Sequence, residues 1–144
     1  MDVMEMEPAP PGGETILLVE PEADTRTLAA FLLSKMGYRV LEARSAGEAC
    51  KIYADCASSI DLLLTEAPMH NINGHELARL LSAGDPALRV LFLSDVGYEK
   101  LARGAPAGAG ARFVRRPFTL RSLGGKVRQA LDAAPAIAVA RSAG

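Results

Sequence analysis

Tryptophan is absent from this 144-residue chain, and Phe and Tyr together make up only 5% of it. Any core must therefore be aliphatic, and about half of the residues are apolar, enough to build one. No apolar run approaches the roughly 18 residues that a membrane helix needs. A secretory signal wants a basic start and an apolar stretch. The first residues, MDVMEMEPAPPGGE, are acidic and proline-rich instead, so a cytoplasmic protein is expected. The formal net charge of −1 gives no general pull toward nucleic acid or membrane. Cysteine is scarce. Cys50 and Cys56 lie six apart on one expected helix, project in different directions and match no zinc spacing. They are expected to be reduced, in the core or half-buried.

The length suits one domain. Residues 1–13 hold three prolines and two glycines without periodicity and read as a disordered tail. From about Ala133 the chain is Ala-rich and reads as a C-terminal tail, leaving 14–132 for the domain. Within it, short continuous apolar runs stand at Ile16–Val19, Val40-Leu41, Leu62–Leu64, Val90–Leu93 and, more weakly, Phe113-Val114. Continuous rather than alternating runs suit strands covered on both faces, as in a parallel sheet.

Amphipathic segments separate the runs. Over 24–36, Leu28, Phe31 and Leu32 are expected to face inward, with Gly37 as the stop. Ser45 and Glu48 resemble a capping box ahead of Ala49, Ile52, Tyr53 and Cys56. Asn73 is placed to cap a third helix with Glu76 reaching back, and Leu77, Leu80 and Leu81 form its stripe. Thr119 is placed to cap the last, with Leu120, Leu123, Val127 and Leu131 inward. The slot over 98–109 is poor: Gly104, Pro106 and Gly108 crowd it, so a short or irregular helix is expected there. The order is β-α five times, and right-handed crossovers then give a doubly wound parallel sheet.

Ligands in such sheets gather at the carboxyl ends of the strands. Here those ends carry Glu20, Pro21, Glu66, Ser94 and Arg116, with Glu22 and Asp24 nearby. On residue types alone, a small polar site and a structural ion pair of Arg116 with Glu66 or Glu20 both fit. A nucleotide cofactor does not, because Glu20-Pro21-Glu22 replaces any glycine-rich phosphate loop.

The stretches TILLVEPEADTR, GYRVLEARSAGEA, DLLLTEAPMHNINGHEL, LRVLFLS and FVRRPFT resemble the receiver domain of two-component response regulators, over residues 14–132. The resemblance implies an α/β flavodoxin-like (βα)5 fold with strand order 2-1-3-4-5. It puts Glu20 and Pro21 where the family keeps its acidic pair, and Glu66 where it keeps the phosphorylated aspartate. Ser94 takes the place of the switch hydroxyl and Phe113 that of the switch aromatic. Gly74 fits the turn glycine, and Arg116-Pro117-Phe118 stands for Lys-Pro-Phe.

Three departures fall on chemistry. Glu66 is longer than aspartate by one methylene, which displaces its carboxylate by roughly 1–1.5 Å; about 1 Å can cost 10²-fold in transfer. Pro21 removes a carboxylate from a site that would hold Mg²⁺ through oxygens. Arg116 keeps the cation of the family lysine but is a planar fork that can grip a carboxylate at two points. Together they imply a degenerate, unphosphorylated receiver in which Glu66 pairs with Arg116, with no cofactor, no metal and no enzymatic activity. The alternative is an active phosphoacceptor in a phosphorelay with atypical Mg²⁺-dependent chemistry. His70, in the place of the family's proline, and His75 are expected to be solvated or locally bonded.

From Gly97 to Leu131 there are eight basic residues against one acidic, Glu99. In receivers this segment forms the face of the fourth helix, fifth strand and fifth helix. A partner face of Tyr98, Lys100, Arg103, Arg112, Arg115, Phe118 and Arg121 is expected, with Leu101 at its rim. Its expected partners are a histidine kinase, a phosphotransfer protein or another receiver, including a second copy of this chain. No membrane or nucleic-acid partner is expected.

Overall fold

The computed structural model describes residues 13–56, 59–66, 73–94 and 113–133. These form β1 (Thr15–Val19), α1 (Ala23–Lys35), β2 (Arg39–Ala43), α2 (Ala46–Cys56), β3 (Leu62–Glu66), α3 (Gly74–Gly84), β4 (Arg89–Ser94), β5 (Phe113–Arg115) and α4 (Leu120–Asp132). The slot over 98–109 lies outside the described residues, as do the two tails apart from Gly13 and Ala133.

All five strands are parallel, in the order β2-β1-β3-β4-β5. The continuous apolar runs explain this. Ile16 and Leu18 of β1 face one side with Leu62, Leu64, Leu91 and Leu93. Leu17 and Val19 face the other with Leu63, Val90 and Phe92. Both faces are roofed by helices, α1 and α4 on the first and α2 and α3 on the second. Each fully buried Leu or Ile contributes about 1.5–3 kcal/mol of apolar burial.

The expected capping residues stand at the helix ends, although Glu76 meets Asn73 through its N–H and not its carboxylate. Gly37 adopts φ +97°, and the N–H groups of Gly37 and Tyr38 donate to the carbonyls of Ser34 and Leu33, closing α1 in a Schellman turn. Asn73 accepts from the Glu76 N–H, and Thr119 and Ser122 form a reciprocal box at α4. At α2, Ser45 accepts from the Glu48 N–H while the Glu48 carboxylate accepts from the Arg44 N–H. Cys50 and Cys56 are half-buried free thiols against the core.

Several inward assignments differ. On α1 the buried residues are Ala29, Ala30 and Leu33, whereas Leu28 and Phe31 are exposed and Leu32 only half-buried. Three consecutive apolar residues, 31–33, allow two phasings, and the one that turns small alanines to the sheet permits closer approach. Leu80 and Leu120 are also exposed, each at the margin of its helix stripe. Phe118, expected on the partner face, is buried among Leu123, Val127 and the other residues of the α1/α4 core. Its position directly after Pro117 turns it under α4 rather than outward.

Candidate functional site

The site sits at the carboxyl end of the sheet and is built from three strand ends. Glu20 follows central β1, and its N–H donates to the Ala43 carbonyl, extending the strand pairing by one residue. Glu66 ends β3. Arg116 follows β5 and its N–H donates to the Ser94 carbonyl, which fixes it beside β4. The Arg116-Pro117 peptide is cis.

The three side chains meet. Arg116 Nη1 donates to Glu66 Oε1 at 2.6 Å and Nη2 to Glu66 Oε2 at 3.1 Å, a forked contact. Nη1 also reaches Glu20 Oε1 at 2.8 Å. The other Glu20 oxygen accepts from the Glu22 N–H at 3.0 Å. Arg26 closes the site from behind, donating to the Glu20 carbonyl at 2.8 Å. The Glu20 side chain is only 2% exposed, against 12% for Glu66 and 17% for Arg116.

Two carboxylates share one guanidinium, so a fully ionised cluster would carry a buried negative charge. Burial, and then the Glu66 carboxyl beside it, push the Glu20 pKa up to about 7, against the Glu22 N–H and Arg116. Near neutrality a proton on Glu20 balances the cluster.

The donor set fits Mg²⁺ poorly. Both pocket carboxylates are turned onto a cation, and Pro21 offers no acid. Glu22, the residue best placed in sequence to replace that acid, caps α1: its carboxylate accepts from the Thr25 N–H at 2.9 Å and from the Thr25 hydroxyl. Those bonds hold the Glu22 carboxyl below its ordinary range. Among the described residues, no group of three or more His, Cys, Asp or Glu stands ready to hold a metal.

Ser94 is buried at the end of β4, and Phe113 opens β5 with its ring stacked on Phe92 at 5.3 Å. Gly74 is the first residue of α3. His75 departs from its expectation: it is buried, packs on Phe92 at 4.4 Å, and its Nδ1 has no hydrogen-bond partner among the described residues. The signal was available, because His75 shares the buried stripe of Ala78 and Ser82, three and seven residues on.

The basic segment is divided. Arg115 and Arg121 are exposed. Arg116 belongs to the pocket. Arg128 is tied to Glu14 at 2.9 Å and to Asp132 at 3.0 Å. Tyr98, Lys100, Leu101, Arg103 and Arg112 lie outside the described residues, as does His70.

A five-stranded parallel sheet in this order, with a cation and two acids at three strand ends, defines a receiver of two-component signalling. The family model of the response regulator receiver domain matches residues 16–128, and the chain belongs to that family. It is similar to the sensor kinase CckA of Brucella abortus, with 32% identity over 121 residues. That match covers 84% of this chain and 13% of the kinase, so the chain spans only a small part of that relative. It is similar over nearly the whole length of another Brucella abortus protein, the response regulator receiver protein CpdR: 31% identity, covering 83% of this chain and 98% of CpdR. Among solved structures, the receiver domain from the hybrid histidine kinase CckA aligns with a TM-score of 0.67 at 35% identity, covering 82% of this chain and 99% of that one. Receiver domains are signalling modules. Among the described residues no helix is long and apolar enough to cross a membrane.

Proposed function

We propose that this chain is a degenerate receiver that signals by protein–protein contact and is not phosphorylated. The observation that carries this is the fork of Arg116 on Glu66. The cation occupies both oxygens at the position where an active receiver would present a carboxylate to the phosphoryl donor. A nucleophilic carboxylate needs a free oxygen in line with the donor, and both oxygens of Glu66 are committed. Mg²⁺ would have to enter beside a guanidinium and find carboxylates already paired, so the protein works without it. It performs no catalysis of its own.

Regulation then rests on the surface. The proposed partners are a histidine kinase, a phosphotransfer protein or another receiver, approached through the basic face that includes Arg115 and Arg121. The field of such a face steers acidic surfaces toward it.

The test is a titration with Mg²⁺ and beryllofluoride, a phosphoryl mimic, followed by NMR of the full chain. Resonances of Ser94 and Phe113 are expected to stay in place. Saturable, Mg²⁺-dependent shifts at both, or stable phosphoryl labelling of Glu66, would establish an active phosphoacceptor instead.

A further inference from the structure

We propose that His75 is a proton-operated latch that holds Phe113 in its stacked position, so that acidification alone reshapes the surface at β5. This goes beyond the pocket chemistry and holds whether or not Glu66 takes phosphate.

The geometry is a three-ring cluster. His75, one residue into α3, lies 4.4 Å from Phe92 of β4 and 6.4 Å from Phe113 of β5, edge-on to the latter. Phe92 and Phe113 stack on each other at 5.3 Å. Phe92 is fully buried and cannot move alone, while Phe113 is only half-buried. The ring that can leave is Phe113, and His75 is one of the groups against which it rests.

A neutral imidazole suits this place, because one of its nitrogens carries no hydrogen. An imidazolium does not. Both its nitrogens would be donors, and Nδ1 is buried with nothing among the described residues to receive its hydrogen. Among the described residues the surroundings offer no compensation. From β4 and β5 the ring meets Phe92 and Phe113. The acid on β3, Glu66, is held by Arg116. On α2 the buried titratable group is Tyr53, whose hydroxyl donates to Asp85 just past α3; the half-buried thiols of Cys50 and Cys56 pack on the same core, Lys51 and Asp55 are exposed, and Glu48 is bonded to Arg44. One turn along α3 stands Arg79, a cation, which opposes protonation further.

Burial first, and Arg79 second, hold His75 below its ordinary pKa of 6.5 in the folded state. The sign follows. The closed cluster prefers the neutral ring, and an opened ring in water takes a proton more readily. The latch is closed above pH 6.5 and loosens as pH falls below it. When the charged ring swings toward water, the slot beside Phe113 empties and its stacked position loses a neighbour. Phe113 is followed at once by Val114 and the exposed Arg115, so the rearrangement reaches the basic face directly.

The experiment is a pH titration of the full chain from 8 to 5, read by assigned ring resonances of His75, Phe92 and Phe113. In the wild type, all three are expected to move with one midpoint below 6.5. Phe rings that stay still, or a His75 midpoint at or above 6.5, would overturn the latch without recourse to any variant. In His75→Phe, or in His75→Leu if the first does not fold, the Phe113 step is expected to disappear. Its persistence in a folded variant would also overturn it. Glu20 titrates nearby in pH, so Glu20→Gln serves as control. The latch requires the Phe113 step to survive there, and its loss would assign the step to the pocket instead.

Discussion

Replacing Arg116 by methionine tests the pocket most directly. Methionine keeps much of the length and the apolar stem but removes the fork. Three short contacts vanish together, at 2.6, 2.8 and 3.1 Å. Two carboxylates are left facing each other. Glu20, with its side chain 2% exposed, cannot turn to water, while Glu66 at 12% can do so in part. Removing one partner of a buried charge cluster typically costs about 3–5 kcal/mol. Partial hydration of Glu66 places this case near the lower end, about 3 kcal/mol at pH 8. The loss should shrink at pH 6, because Glu20 can then take up a proton and relieve the repulsion. Urea unfolding at both pH values, with tryptophan-free detection by far-UV circular dichroism, measures it. Adding Glu20→Gln and Glu66→Gln to the same variant should recover most of the stability. A loss below about 1 kcal/mol at pH 8, or one that does not fall toward pH 6, would refute the view that Arg116 neutralises a buried acidic pair.

Two further predictions follow from single residues. Glu20 is raised in the folded state from 4.5 to about 7, so the native protein keeps a proton that the unfolded chain releases. That contribution is full below about pH 4.5 and is lost as pH rises through about 7, up to about 3 kcal/mol in all; Glu20→Gln should therefore flatten the stability profile between pH 5 and 8, and an unchanged slope by urea titration would contradict it. In α4, a Cβ on Gly125 meets nothing within 4 Å, whereas one on Gly124 would lie 2.7 Å from Met36 Sδ. Gly125→Ala should raise stability by about 1 kcal/mol, and Gly124→Ala by clearly less, as read from paired thermal melts; the reverse order would be wrong for this packing.

Much of the architecture is legible in the amino-acid sequence. Continuous runs such as Leu62–Leu64 have one physical reading when they recur between amphipathic segments: buried parallel strands. Caps at Asn73 and Thr119 were legible because a short polar side chain before a helix has one main use. The phase of α1 was not. Phe31-Leu32-Leu33 satisfies two helical faces equally, and the choice was made by Ala29 and Ala30, whose small size matters only against a sheet. The Arg116–Glu66 pairing was legible from the lengths of two side chains that both departed from the family pattern. The depth of Glu20 and the use of Glu22 as a helix cap were not, since both depend on the direction in which the chain leaves β1. The burial of His75 was legible only through its helical spacing to Ala78 and Ser82, since a polar residue beside a loop suits a surface as readily as a core.

The contact of Arg128 with Glu14 has a bearing on how this fold travels between proteins. Glu14 stands just before the first strand and Arg128 in the last turns of the last helix, 114 positions apart, and Tyr38 joins them through its hydroxyl. The two ends of the folded unit are thus fastened at one spot on its rim. A module of this shape joins a longer chain as a side loop rather than as a spacer: whatever precedes it and whatever follows it leave from nearly the same place. Neighbours on either side would be brought together by it, and adding or removing the module would change their separation by little more than the width of that clasp.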